Sequence, residues 1–480
     1  MVRRRWWPPS EACSLLPCML MPEIITTTNP TTGKAFAEHP LMSDEQVRTA
    51  IARCHEAFLQ WRHERPQRRA EIISAIGTKL EENRAELSEL MTREMGKLLR
   101  HSRQEVGLCK AICDYTAEFG PSALATDKRE IQTGRQGYVF HRPLGVIYGI
   151  QPWNFPAYQV VRYSIATLMA GNGVLLKHAP IVTGSGKLLE QIYRDAGLPE
   201  HLFTAIVIDH DQSDRVIENE LVRGVTFTGS PDAGRHVGSV AAKNLKKTVL
   251  ELGSNDAYIV LADADLEKAV EHCVKGRVYN NGETCIAAKR FVVVSSVYDR
   301  FRDAYVEKMK TLRTGDPTLD ETDLGPIARK DLREDLHLQV EQSVAKGAKR
   351  LCGGTVPNGE GFFYPATVLE DVAPGQPAYD DELFGPVASL IVADDRDDAM
   401  RIANDSRYGL GGGIFTRDPD AAIELAAEHF DTGMVFINGF GLATPSMPFG
   451  GVKDSGYGRE HGGFGMKEFT NTKAVLVMGG

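Results

Sequence analysis

Between residues 44 and 118 the apolar positions fall at helical spacing. In "DEQVRTAIARCHEAFLQW" (44–61) and "RRAEIISAIGTKLEENRAELSELMTREMGK" (68–97) an apolar residue recurs every three or four positions, which predicts helices with one buried stripe. From 137 to 260 the pattern changes. "GVIYGI", "GVLLKHA", "FTAIVI", "GVTFTG" and "DAYIVL" are short continuous apolar runs, separated by segments long enough for a crossover helix. Such runs suit strands buried on both faces, and their alternation with helices predicts a mostly parallel sheet covered on both sides. A second set, containing "RFVVV", "ASLIVA" and "GGGIFT", spans about 270–430. The fold class expected is therefore α/β with two such domains. "EIQTGRQGYVFHRP" (130–143) alternates as a hairpin does, and an exposed strand pair of this kind needs a partner.

Composition narrows the classes of function. The chain has 480 residues, 42% of them hydrophobic and 25% charged, in the range of a globular protein with more than one domain. A net charge of −9, with no long Lys/Arg block, argues against a nucleic-acid binder. Since 18 uninterrupted apolar residues occur nowhere, a membrane span is not expected. The eight cysteines are scattered, which suits a reducing cytoplasm better than a disulfide framework. Cys109 and Cys113 are spaced for one helix face, but no HExxH, CxxC or second cluster joins them, so no metal site is expected. "MVRRRWWPPSEACSLLPCML" (1–20) lacks the apolar core of a signal peptide and predicts a disordered leader.

Candidate chemistry begins with what is missing. No GxGxxG follows a strand, and "GSGK" (184–187) only resembles a phosphate loop by chance, with Ile181 and Leu188 at the wrong ends. "VTFTGSPDAGRHVG" (225–238) is more informative. A strand meets Gly229, Ser230 can cap a helix, and Pro231 and Asp232 suit its first turn. Such a helix start can receive a pyrophosphate, or be an ordinary strand-to-helix turn. "NGETCIAAKRFVVV" (281–294) sets Cys285 between a polar turn and a buried strand, where it is either an inert thiol or a nucleophile.

Six segments in one order bear on that choice: "PWNFP" (152–156), "FTGS" (227–230), "LELGS" (250–254), "NGETC" (281–285), "ELFGP" (382–386) and "PFGGVKDSGYGRE" (448–460). Together they resemble the NAD(P)-dependent aldehyde dehydrogenases, from "NPTTGK" at 29 to the C-terminus. The resemblance implies that Cys285 is the nucleophile, Asn154 the oxyanion-stabilising amide and Glu251 the general base. It implies that Trp153, Lys177, Gly229, Ser230, Glu382 and Phe384 form the NAD or NADP site. Phe449 and Arg162 would meet the substrate, Arg162 by a fork suited to a carboxylate. "LLKHAP", "NGETCIAAKRFVV" and "DLGPIARKDLREDLHLQV" look most like the bacterial succinate-semialdehyde dehydrogenases.

Four positions depart from the family pattern. Ser254 replaces a glycine near the nicotinamide. Tyr279 stands where some relatives have a second arginine. Pro180 occupies the position that separates NAD from NADP users, so both cofactors are expected to work, NAD slightly ahead. Ala287 removes the second cysteine of a redox switch. A cysteine hydrolase would instead require a histidine paired with Cys285, and none lies in the quoted motifs. The resemblance also implies a cofactor domain (21–124 and 143–250), a catalytic domain (251–454) and oligomerisation strands (125–142 and 469–480). It predicts a homodimer or homotetramer with a small aldehyde as its ligand.

Overall fold

The computed structural model describes residues 23–132 and 135–478. The leader expected over 1–20 lies outside them. Helix Asp44–Trp61 starts where the Ser43 hydroxyl accepts the Gln46 N–H and the Gln46 side chain accepts the Ser43 N–H. Val47, Ile51, Cys54, Phe58 and Trp61 form its buried stripe. The next stretch differs from the single run of helix its spacing suggests. It forms two helices, Pro66–Glu82 and Arg84–Met95, because the Asn83 amide turns back to donate to the Lys79 carbonyl (2.8 Å). Helix Leu99–Ala123 follows, and a Cβ built at Gly77 would lie 2.9 Å from that of Cys113. Cys109 and Cys113 are thus core fillers. Among the described residues no group of three or more His, Cys, Asp or Glu is placed to hold a metal.

The apolar runs form two parallel sheets. In the first, the strands lie in the order Lys247–Glu251, Val222–Thr228, Val146–Gln151, Gly173–His178 and Phe203–Ala205, all parallel. Gly456–Tyr457 adds antiparallel to the outer edge of Lys247–Glu251. The chain order reverses beside Val146–Gln151, the geometry that opens a crevice at the carboxyl ends of strands. The second sheet runs Lys349–Cys352, Thr367–Glu370, Val387–Ala393, Arg290–Val294, Ala257–Val260, Gly412–Phe415 and Phe436–Ile437. Only its first pair is antiparallel.

Glu251 ends the last strand of the first sheet, and Ala257 opens a central strand of the second. The short link between them is the seam of the molecule. A third sheet of Asp127–Gln132, Arg135–Pro143 and Thr470–Leu476 leaves Ile131, Val475, Leu476, Val477 and Met478 exposed. No helix among the described residues is long and apolar enough to cross a membrane.

Candidate active site

The loop that carries Cys285 is held by its own asparagines. After helix Leu266–Val278 the backbone turns left-handed at Asn280, Asn281 and Gly282 (φ 55°, 59° and 78°). Asn and Gly are the residues that tolerate this conformation. Asn280 is fully buried, and its Nδ2 donates to the Asn154 carbonyl (2.8 Å) and the Glu283 carbonyl (3.1 Å). Asn154 Nδ2 donates to the same Glu283 oxygen at 3.1 Å, which leaves its second N–H free. Asn281 donates to the carbonyls of Gly96 and Pro326 and accepts the Gly325 N–H. The amide of Asn154 and the cysteine loop are therefore one rigid unit.

Cys285 borders a narrow apolar cleft with Leu108, Phe155, Tyr158, Leu442 and Phe449. Burial pushes its thiol up to about 12. Lys289 and then Arg162 pull it down, whereas Glu382 and Asp256 add to the rise. Lys289 Nζ sits directly beneath the loop, donating to the carbonyls of Cys285 (2.5 Å) and Thr284 (3.2 Å) and pairing with Glu382 at 3.2 Å.

Glu251 is buried, and both carboxyl oxygens lack a hydrogen-bond partner. Burial first and Glu460 second push its carboxyl well up, against Arg162 and Arg459. A Cβ at Gly450 would come within 2.8 Å of Glu251 Oε1, so glycine there leaves room for the carboxyl group. Arg162 lies behind the cleft. Its guanidinium stacks on Phe449 (4.7 Å) and Tyr158 (5.2 Å), pairs with Glu460 and donates to Thr228 Oγ1 (3.1 Å). Nη1 has no partner, so one buried N–H edge remains open. The structure thus sets Cys285 and Phe449 on the cleft, ties Asn154 to the loop that carries Cys285, and sets Arg162 behind the ring of Phe449.

The crevice at the strand ends holds the other expected residues. Lys177 is buried at the end of its strand and makes no ion pair among the described residues; burial lowers its ammonium. Both side-chain atoms of the neighbouring Gln151 also lack partners. The Gly229 N–H donates to the Glu251 carbonyl (3.0 Å), and Ser230 Oγ caps helix Pro231–Lys243 by accepting the Ala233 N–H (3.4 Å). Trp153 meets Phe384 edge-on at 5.7 Å, and Glu382 pairs with Lys289 through Oε1. Unpartnered polar groups at a switch point, a capped helix start and an aromatic wall fit a dinucleotide. Lys177 and Glu382 would hold its riboses, and its nicotinamide would supply a hydride acceptor.

Two departures from the family pattern resolve here. The Ser254 hydroxyl is taken by the Asp256 carboxylate, so it is hydrogen-bonded within the protein. Tyr279 packs at a tilt against His101 (4.3 Å) and donates to Gln104 (3.2 Å). In "GSGK" the first residues open helix Thr183–Asp195, and the Glu94 carboxylate accepts the N–H groups of Gly184 and Ser185. An acid of the chain itself fills the place a phosphate would take. Sequence reasoning missed Asn280, Lys289 and Glu460. "NNG" was a visible sign of a left-handed turn, and "KR" before a wholly apolar run was a sign of buried cations.

Known proteins resemble this chain over nearly its whole length. Residues 21–475 match the model of the aldehyde dehydrogenase family. The chain is 42% identical over 447 residues to the succinate semialdehyde dehydrogenase [NAD(P)+] Sad of Escherichia coli K12, covering 93% of this chain and 96% of the relative. It is 41% identical over 458 residues to a succinate-semialdehyde dehydrogenase [NADP(+)] of Mycobacterium avium, covering 94% and 96%. Among solved structures, succinic semialdehyde dehydrogenase from Streptococcus pyogenes in complex with NADP+ superposes with a TM-score of 0.92 at 35% identity, covering 94% of this chain and 99% of that one.

Proposed function

The chain belongs to the aldehyde dehydrogenase family, and from that premise we propose that it oxidises succinate semialdehyde to succinate with NAD or NADP through a thioester on Cys285. The observation that carries this reading is the bolted pair of Asn154 and the cysteine loop. The Cys285 thiolate adds to the aldehyde carbon, and the charge that develops on oxygen meets the free N–H of Asn154 and the Cys285 backbone N–H. A bound nicotinamide would supply the acceptor for the hydride that leaves this adduct. Glu251, raised by burial, takes a proton from the water that attacks the resulting thioester, which frees the acid and returns the sulfur. Arg162 offers Nη1 to the distal carboxylate. The names of the relatives support this substrate and name NADP(+) or both cofactors.

The apolar lining of the cleft favours a second reading, a broader activity on small uncharged aldehydes. The experiment is kcat/KM for succinate semialdehyde beside butanal, with each cofactor, in wild type and Arg162→Gln. The proposal expects the anionic aldehyde to lead at least about tenfold and the lead to collapse in the variant, since a buried charge-assisted pair contributes roughly 1.5–3 kcal/mol. Equal rates for the two aldehydes in wild type would give the broader reading instead. The first sheet would belong to a cofactor domain (21–124 and 143–250) and the second to a catalytic domain (251–454). The exposed apolar edge of the third sheet supports pairing with a second copy in a homodimer or homotetramer. All described cysteines are free thiols, in keeping with the cytoplasm.

A further inference from the structure

We infer that Lys289 is the cation that eases ionisation of the Cys285 thiol, and that Glu382 masks it until a bound dinucleotide draws that carboxylate onto its ribose. The inference rests on the roles of Cys285 and Glu382 proposed above. Lys289 enters the buried strand Arg290–Val294, and its side chain is only 2% exposed. Each of its three N–H directions has an acceptor: the Cys285 carbonyl, the Thr284 carbonyl and Glu382 Oε1. A neutral amide could serve the two carbonyls. A buried ammonium is costly, so its charge needs a use on this loop.

The groups facing the sulfur show which use is open. Lys289 and Arg162 favour the thiolate; Glu382, Asp256 and the Tyr158 hydroxyl face it from the other elements. Arg162 is already paired with Glu460, and it also faces Glu251. Asp256 is fixed by the Ser254 hydroxyl and the Gly411 N–H. Glu382 differs from Asp256 because its side chain retains 18% exposure. Moving it removes an opposing charge and releases Lys289 together. The thiol then gives its proton to solvent, the ammonium keeps its own, and no other bond changes. Cofactor occupancy and nucleophile charge become coupled through one side chain.

The test is the pH dependence of Cys285 alkylation by iodoacetamide, assigned by peptide mass mapping. It is run with and without NADP+ at concentrations shown to saturate by equilibrium dialysis. In wild type the midpoint should fall by about one pH unit when NADP+ is added, the shift an opposite charge at close range produces. In Lys289→Gln it should lie about one to two pH units higher than in wild type and fall less on adding NADP+, because only the direct charge of Glu382 is removed, while Lys289→Arg restores both. Glu382→Gln should reach the lower, loaded midpoint with no cofactor present.

An unchanged midpoint in Lys289→Gln, or a raised one in Glu382→Gln, overturns the inference. Should Lys289→Gln fail to fold, Glu382→Gln decides alone, because it leaves the cation in place. Failure of the underlying reading is separate: Cys285→Ala would then keep dehydrogenase activity, whatever the alkylation midpoints show.

Discussion

Asn280 is the residue whose loss should separate loop strain from catalysis. Replacing it by alanine removes two donated hydrogen bonds, of 2.8 and 3.1 Å. The Glu283 carbonyl keeps the Asn154 amide, but the Asn154 carbonyl loses its side-chain donor in a fully buried site. One stranded buried carbonyl costs about 1–3 kcal/mol. Alanine at φ 55° and ψ 43° adds roughly 1–2 kcal/mol of backbone strain.

Catalysis should suffer more steeply, because Asn154 loses the tie that registers it against the sulfur. Loss of one oxyanion donor lowers kcat by about 10²–10³. Asn280→Gly removes the strain and keeps the lost bonds lost. It should therefore recover about 1 kcal/mol of urea stability over Asn280→Ala while its pre-steady-state burst of reduced cofactor stays as slow. A burst at the wild-type rate in Asn280→Gly would refute the claim that this amide positions Asn154.

Two further outcomes follow from packing and protonation. A Cβ at Gly282, where φ is 78°, would lie 2.3 Å from the carbonyl carbon of Gly385. Neither backbone can retreat, so Gly282→Ala should cost about 2–5 kcal/mol in urea denaturation and abolish the burst, and a stable, active variant would contradict this. Glu94 is pushed up to about 7, chiefly by burial and against its bonds from Ser185 and Gly184. The folded chain therefore keeps a proton that the unfolded chain releases above the ordinary value of 4.5. The stability from that proton is complete below pH 4.5 and lost as pH rises through about 7, a difference of roughly 3 kcal/mol. Glu94→Gln should flatten the urea midpoint between pH 5 and pH 8, and an unchanged pH dependence would contradict the assignment.

Strands such as Gly173–His178 and Arg290–Val294 were legible because their burial is written as unbroken apolar sequence. The Ser230 cap was legible for a similar reason, since Ser-Pro-Asp after a strand encodes a helix start locally. The break at Asn83 was not. A polar side chain bonding its own backbone competes with a strong helical period, and spacing alone cannot register that contest. Arg162 shows the same limit at longer range. Its burial depends on Glu460, Thr228 and Phe449, which lie far along the chain and meet it only in the fold. Lys289 and Glu382 are likewise brought together across two strands of the second sheet and the loop before one of them. The chemistry of single residues could be read from motifs. Their mutual charges could not.

The most direct test is to stall the second half of the proposed reaction. Glu251→Gln, mixed with succinate semialdehyde and NADP+ and quenched in acid, should give a stoichiometric burst of reduced cofactor. Peptide mass mapping should then find a succinyl thioester on Cys285. A burst with no adduct on that peptide, or an adduct on another cysteine, would contradict the account.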